Sequence, residues 1–298
     1  MSAPLIVSFP GNDSLGRRLA EGLSGDIASV EFHRFPDDES YVRFDTNVAG
    51  RSVIFACTLD RPDRKFVLLA FAARSARELG AKNIGLVAPY LAYMRQDKRF
   101  KPGEAITSAI FADLLSDLFD WLVTVDPHLH RLHDLRGIYR IRTCALHAAP
   151  LVAQWIRDEI SSPLLIGPDD ESAQWVSAIA ADAGAPYVVL QKTRRGDRDV
   201  EVSYPDVARW RNCTPIVIDD IISSGRTMIE TLARLKSLNM KPAVCVGVHG
   251  VFAAGTYETL RAAGPMRIVT SNTIPHASNA IDVTALLIAP VREIMNLH

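Results

Sequence analysis

Cysteine is scarce in this chain: its 298 residues hold four, Cys57, Cys144, Cys213 and Cys245, scattered without a Cys-x-x-Cys pair. That spacing excludes a disulfide framework and a zinc ribbon, and buried thiols are expected instead. Long apolar runs are missing too. No stretch approaches the roughly 20 residues that span a bilayer, and the start, Met1-Ser-Ala-Pro-Leu-Ile-Val-Ser-Phe-Pro10, has no basic region before a long apolar segment. A soluble cytoplasmic protein with no membrane partner is expected. Nor does one charge dominate, since 33 Lys and Arg face 34 Asp and Glu for a formal charge of -1. Duplex binding needs a basic surplus, so nucleic acid is not an expected partner. Gly-x-x-x-x-Gly-Lys-[Ser/Thr] and Gly-x-Gly-x-x-Gly are both absent, which removes support for a P-loop kinase or a dinucleotide enzyme.

What is present is a globular composition, 48% hydrophobic and 22% charged, long enough for about two domains. Short apolar strands alternate with helical stretches. Leu5 to Phe9 precedes a helix capped near Asp13 or Ser14. Ser52 to Ala56 precedes a helix whose face is read as Leu68, Phe71, Ala72, Ser75 and Leu79. Asn83 to Ala88 precedes a polar segment and a helix from about Thr107 to Phe119, and Trp121 to Val125 follows. The second half repeats the rhythm with Leu164 to Ile166, Tyr187 to Leu190, Pro215 to Asp219 and Ala243 to Val248 as strands, and a Met228, Leu232, Leu235, Leu238 helix stripe. This alternation predicts an α/β fold of doubly wound parallel sheets, with ligands gathered beyond the carboxyl ends of the strands. A boundary between Ala145 and Pro150 divides the chain into expected domains 1–147 and 148–298.

The sharpest local chemistry lies in Ile216-Val-Ile-Asp219-Asp220-Ile-Ile-Ser223-Ser224-Gly225-Arg226-Thr227. A buried strand ends in paired acids, and a hydroxyl-rich turn then opens a helix. Backbone N–H groups at a helix start, with Ser and Thr hydroxyls, make a nest for a phosphate, and Gly225 permits close approach. The two carboxylates would repel that phosphate but accept hydrogen bonds from vicinal sugar hydroxyls or hold a metal-bound water. Together these features describe a sugar phosphate site.

This segment resembles the phosphoribosyl pyrophosphate loop of the type I phosphoribosyltransferase fold. Three others resemble the ribose-phosphate pyrophosphokinase family. His33-Arg-Phe35-Pro-Asp37-Asp38-Glu39 is similar to that family's Phe-Pro-Asp-Gly-Glu. Pro89-Tyr-Leu-Ala-Tyr-Met-Arg95-Gln96-Asp97-Lys98-Arg99-Phe-Lys-Pro-Gly-Glu104-Ala-Ile-Thr107 matches its Pro-Tyr, Arg-Gln-Asp and Ile-Thr pattern. Gln191-Lys192-Thr-Arg194-Arg195-Gly-Asp-Arg198 resembles its mobile catalytic loop.

The resemblance implies two domains of the type I phosphoribosyltransferase kind, and transfer of the β,γ-diphosphoryl group of ATP to the C1 hydroxyl of ribose 5-phosphate, with release of AMP. It implies catalytic roles for Lys192 and Arg194, and nucleotide contacts from Phe35, Asp37, Asp38, Glu39, Arg95, Gln96 and Asp97. Ribose 5-phosphate would be held by Arg194, Asp219, Asp220, Ser223, Ser224, Gly225, Arg226 and Thr227. His128, matched to Asp-x-His within Asp126-Pro-His128-Leu-His130-Arg-Leu-His133, and Asp169, matched to Pro-Asp, become the expected ligands of Mg2+, with Mn2+ as a substitute. Because the Phe35 loop reaches a neighbouring subunit in the family, a homo-oligomer of at least two chains is expected. His130 and His133 have no matched role. Three departures mark a divergent member: Asp38 in place of a glycine, Glu171-Ser172 where a glycine pair is common, and Ser-Ser-Gly-Arg-Thr in the phosphate turn. Two other readings compete, a phosphoribosyltransferase that consumes phosphoribosyl pyrophosphate and a silent regulatory homologue.

Overall fold

Buried aliphatic runs in the first half of the chain become one parallel sheet. The computed structural model describes residues 3–129, 134–169, 172–195, 199–203 and 207–296. Leu5–Ser8 (β1) leads through Asp13–Leu23 (α1) to Asp26–Ile27 (β2), after which Val30–Arg34 (β3) and Ser40–Phe44 (β4) pair as an antiparallel hairpin. Ser52–Ala56 (β5), Phe66–Glu78 (α2), Asn83–Ala88 (β6), Thr107–Ser116 (α3), Trp121–Val125 (β7) and Arg142–Leu146 (β8) follow. The sheet order is β2-β1-β5-β6-β7-β8, and its ladders are parallel. β6 and β7 are buried along their whole length, as strands covered on both faces must be. Gly85 shows how tightly they fit. It pairs with Trp121, and a Cβ at Gly85 would fall 2.0 Å from the indole ring, whose Nε1–H donates to Asn83 Oδ1 at 2.7 Å.

In the second half, Ala149–Glu159 (α4), Pro163–Gly167 (β9), Ala173–Ala183 (α5) and Tyr187–Val189 (β10) precede a second antiparallel hairpin, Gln191–Arg195 (β11) and Asp199–Ser203 (β12). Thr214–Ile222 (β13), Arg226–Ser237 (α6), Val244–Gly250 (β14), Thr256–Ala262 (α7), Arg267–Ser271 (β15) and Asn279–Ile281 (β16) complete a parallel sheet ordered β10-β9-β13-β14-β15-β16. Its core includes Leu164, Val217, Met228, Leu232, Leu235, Cys245 and Leu260. Both halves use one strand order, and each carries its hairpin at the same point, before the third strand of the sheet.

Two expectations need correction. The chain divides into Met1–Leu146 with Thr284–His298 and His147–Val283, so the last helix, Thr284–Asn296 (α8), belongs to the first unit rather than to 148–298. It packs on α1, β7 and β8, and its Leu287, Val291 and Ile294 are buried because a parallel sheet needs cover on both faces. The face of α2 also differs. Leu69, Ala72, Ala73 and Ala76 are the buried residues, while Phe71 and Leu79 are 49% and 52% exposed; alanines let the helix lie close to the sheet.

All four cysteines are free, Cys57 and Cys245 buried and Cys144 and Cys213 half-buried. Burial pushes the Cys57 and Cys245 thiols up to about 12, which leaves them unreactive. No helix among the described residues is long and apolar enough to cross a membrane.

Candidate functional site

Strand order reverses between β9 and β13 in the second unit, and a doubly wound sheet opens its crevice at the carboxyl ends of such a pair. The acids picked out in the sequence lie there. Asp169 follows β9 by way of Pro168, and Asp219 and Asp220 lie in β13, which runs past them to Ile222 against β14 rather than ending at Asp219. Asp169 is held by a residue that the sequence alone did not single out. Ser172 donates its N–H to Asp169 Oδ1 at 3.1 Å and its hydroxyl to the Asp169 carbonyl at 2.6 Å. The one available signal was the departure from the glycine pair, and here the serine supplies the hydrogen bonds that fix the aspartate at the start of α5.

Burial, the charge of Asp220 and a hydrogen bond with it, and the charge of Asp169 push the Asp219 carboxyl up to about 8. Hydroxyl donors of a sugar, or an oxygen-seeking dication, favour the ionised form of carboxyls crowded in this way. Among the described residues no three His, Cys, Asp or Glu side chains form a ready-made metal centre.

Beyond Ile222 the chain turns into α6 through Ser223, Ser224 and Gly225. Gly225 caps the helix with φ 66° and ψ 0°, a left-handed conformation that glycine adopts without penalty. It is also packed closely, since a Cβ would stand 3.0 Å from Thr256 Cγ2. The turn is braced from behind: Phe252 N–H donates to the Ile222 carbonyl at 2.9 Å and Ala253 N–H to the Ser223 carbonyl at 3.0 Å. The first-turn N–H groups of α6, including those of Arg226 and Thr227, have no carbonyl a turn earlier to meet. Ser224 and Arg226 are exposed and Ser223 and Thr227 half-buried, so the turn can receive an anion.

Lys192 and Arg194 lie on β11, opposite Val202 and Val200 of β12. They are part of a paired ribbon, where the sequence suggested a loop. Arg198, Asp170, Glu171, His130 and His133 fall outside the described residues.

In the first unit, Phe35 to Glu39 form the tip of the β3–β4 hairpin. Asp38 N–H donates to the Phe35 carbonyl at 2.9 Å, Phe35 N–H to the Glu39 carbonyl at 2.8 Å, and Glu39 N–H to Asp37 Oδ1 at 3.3 Å. Asp38 has φ 70°, the region glycine favours, and aspartate is among the few other residues that tolerate it. The glycine-to-aspartate departure thus keeps the turn's shape. The Phe35 ring is 43% exposed and lies edge-on to His33 with centroids 5.0 Å apart, which leaves it free to stack.

Arg95, exposed, and Gln96 and Asp97, half-buried, occupy the connection from β6 to α3. The Gln96 carbonyl accepts from Ser108 N–H at 3.3 Å, and its side-chain oxygen accepts from the Thr107 hydroxyl at 3.4 Å, fixing the segment to the start of α3. His128 is half-buried just past β7, two residues after Asp126, whose φ of 35° bends the chain there.

Comparison with known proteins places these features in one lineage. Residues 5–118 match the family described as the N-terminal domain of ribose phosphate pyrophosphokinase, and residues 136–286 match the phosphoribosyl transferase domain. The chain is 31% identical over 274 residues to the ribose-phosphate pyrophosphokinase of Saccharolobus solfataricus, covering 91% of this chain and 93% of the relative. It is 30% identical over 281 residues to that of Methanopyrus kandleri, covering 94% and 95%. A crystal structure of phosphoribosylpyrophosphate synthetase from Mycobacterium smegmatis, 22% identical, superposes with a TM-score of 0.84 over 100% of both chains.

Proposed function

The chain belongs to the ribose-phosphate pyrophosphokinase family and its activity is phosphoribosyl pyrophosphate synthesis; from that premise we propose how its residues divide the reaction. The C1 hydroxyl oxygen of ribose 5-phosphate attacks the β-phosphorus of ATP, the bond from that phosphorus to the α-phosphate oxygen breaks, AMP leaves, and the hydroxyl proton passes to solvent. No covalent enzyme nucleophile is needed, because positioning and charge stabilisation suffice for such a transfer.

The observation that carries this reading is the carboxyl cluster of Asp169, Asp219 and Asp220 beside a braced helix-start turn. Asp219 and Asp220 accept from the ribose hydroxyls, and Ser223, Ser224, Gly225, Arg226 and Thr227 receive the 5-phosphate. Lys192 and Arg194 stabilise charge on the transferring group. Arg95, Gln96 and Asp97 meet the nucleotide, and the Phe35 ring stacks on its base with Asp37, Asp38 and Glu39 as acceptors. Asp169 and His128, each in its own unit, are the proposed magnesium ligands, carboxylate being the expected donor and imidazole acting through a coordinated water. Magnesium, or manganese in its place, offsets the charge of the triphosphate.

A homo-oligomer of at least two chains has support in the first unit. Val67, Phe71, Ile110 and Leu114 are 51%, 49%, 53% and 42% exposed, and Val67, Ile110 and Leu114 help line an apolar cavity of about 330 Å³ with Phe66, Tyr93 and Phe111. Apolar surface of this kind marks a protein contact. Cytoplasmic location fits the free buried thiols.

The test is a single assay with ATP and ribose 5-phosphate in which AMP and product are resolved separately. AMP formed one-for-one with product supports the reading. Product consumption in the presence of a free base, without AMP release, would instead identify a base-transferring enzyme.

A further inference from the structure

The segment after β14 braces the turn that opens α6, and it holds a residue in a conformation that its type disfavours. Phe252 has φ 37°, and an aromatic residue with positive φ persists only where its surroundings compensate. The compensation is a cluster of three rings within the second unit. The buried Phe252 ring lies 4.6 Å from the His276 ring and 5.4 Å from that of Tyr257, and those two are 4.7 Å apart, spacings at which tilted and edge-on rings attract. Gly250 leaves room for the ring, since a Cβ there would fall 2.7 Å from Phe252 Cε2. His276 is itself fixed. Its N–H donates to Asn279 Oδ1 at 2.8 Å, and its Nδ1 accepts the Ser278 N–H at 3.1 Å.

The geometry points to Phe252 as a positioning residue for ribose 5-phosphate: its ring, held by His276 and Tyr257, sets the 252–253 backbone where two N–H groups fix the carbonyls that lead into the phosphate turn. Those bonds run from Phe252 N–H to the Ile222 carbonyl at 2.9 Å and from Ala253 N–H to the Ser223 carbonyl at 3.0 Å. Ile222 and Ser223 come directly before Ser224 and Gly225, so a shift at 252–253 passes straight into the turn. The same segment supports the turn through α7 as well. Thr256 N–H donates to the Ala253 carbonyl at 2.9 Å, and Thr256 Cγ2 is the atom that a Cβ on Gly225 would meet at 3.0 Å. An anion nest made of backbone N–H groups depends on how firmly the backbone is held before the ligand arrives. This role rests on the reading that the turn receives the 5-phosphate.

The test is steady-state kinetics and thermal melts on the full chain with Phe252→Leu, Phe252→Gly, His276→Ala, His276→Phe and Thr227→Glu. Phe252→Leu keeps apolar bulk, loses the flat ring and still resists positive φ. It is expected to raise the KM for ribose 5-phosphate about tenfold, the order of one lost hydrogen bond, with the KM for ATP within about threefold. Phe252→Gly removes more packing and should melt lower than Phe252→Leu. Its backbone nevertheless enters this conformation freely, so its KM for ribose 5-phosphate should rise only about threefold. His276→Ala should also raise that KM about threefold, and His276→Phe, which restores a ring, should return it close to the starting value. A KM for ribose 5-phosphate that worsens in step with falling melting temperature, Phe252→Gly beyond Phe252→Leu, would assign the ring to packing and overturn the proposal, as would equal rises for both substrates. If Phe252→Gly does not fold, the His276 pair decides, and a His276→Phe enzyme as impaired as His276→Ala overturns the proposal. Thr227→Glu sets a carboxylate in the turn itself and should raise the KM for ribose 5-phosphate at least about tenfold. A raised KM there beside a normal Phe252→Leu would overturn the proposal and spare the phosphate reading, whereas an unchanged KM in Thr227→Glu would remove that reading and the proposal with it.

Discussion

The two units share one strand order and one hairpin position, yet their switch points are furnished in opposite ways. In the first unit the ends of β1 and β5 are occupied by the protein's own groups. Asn12 and Thr58 are almost fully buried, Asn12 Oδ1 accepts the Thr58 N–H at 2.9 Å, and the Lys65 ammonium donates to the Thr58 carbonyl at 2.9 Å while pairing with Asp60. In the second unit the matching strand ends carry Asp169 and Asp219, and burial, Asp220 and Asp169 oppose ionisation of the Asp219 carboxyl. The fold supplies the crevice twice, and the side chains at the strand ends differ in charge between the two. The hairpins differ in sequence as well: the tip of one carries an exposed Phe35 and three acids, and β11 of the other includes Lys192 and Arg194.

The largest effect expected from breaking this contrast is at Lys192. Lys192→Ala should lower kcat by at least about a hundredfold with KM values shifting far less, the signature of a group that acts in the transition state; Arg194→Ala should cost both turnover and ribose 5-phosphate affinity. Combining the two should lose less than the product of the single losses if they act as one unit, which steady-state kinetics on the three enzymes will read.

Next come the two switch points, compared directly. Asp219→Asn replaces a carboxylate, acceptor-only once substrate and dication have expelled its proton, with a group that also donates, and should raise the KM for ribose 5-phosphate about tenfold with ATP binding retained, an effect that matches the loss of one hydrogen bond to a charged group. Asp60→Asn, in the first unit, should leave both KM values alone and lower thermal stability, since it strips the partner from a mostly buried Lys65. Titration calorimetry with each substrate, beside thermal melts, separates the outcomes. A kinetic defect in Asp60→Asn would mean that the first crevice is not merely closed.

The pH dependence of magnesium binding sharpens the same contrast. With its folded pKa raised from 3.8 to about 8, Asp219 keeps a proton that the unfolded chain has already released. Its contribution to the stability of the ligand-free protein is therefore fully present below pH 3.8 and lost as pH rises through about 8. A dication that favours the ionised form expels that proton, so the gain in melting temperature from magnesium should grow between pH 6 and pH 8. Asp219→Asn should flatten that growth. A magnesium gain independent of pH in the unmodified protein would separate the metal from this carboxyl cluster.

The smallest effect expected lies in the first unit's core. The Tyr139 hydroxyl is buried with no hydrogen-bond partner among the described residues, and burial raises its pKa. Tyr139→Phe removes an unsatisfied group without changing the ring, so stability in denaturant melts should be unchanged or higher by up to about 1 kcal/mol.

Much of the architecture was legible. Ser52–Ala56, Asn83–Ala88 and Trp121–Val125 are strands at the bounds of their apolar runs, because a parallel strand covered on both faces must be apolar throughout. The strand and turn before α6 were legible for a different reason: an apolar run, small residues and Gly225 set the local structure within a dozen residues. The hairpins were not read: β3, Val-Glu-Phe-His-Arg, does alternate apolar and polar residues, but the run is only five residues long and none of them is fully buried, so the period-two signal is short. α2 misled because it opens Phe-Val-Leu-Leu-Ala-Phe-Ala-Ala, apolar on more than one side.

The sequence by itself determined the alternation of strands and helices, the parallel sheets and the local chemistry of the 216–227 segment, since periodicity and turn chemistry work between residues a few positions apart. Only the tertiary structure decided that α8 returns to the first unit, that alanines rather than Phe71 face the sheet, and that Asp169 comes near Asp219. These depend on strand order, register and the burial of one element by another, which join residues far apart in the chain. Single-sequence patterns carry no record of such pairings, because each element's own side chains are compatible with several neighbours and packing selects one.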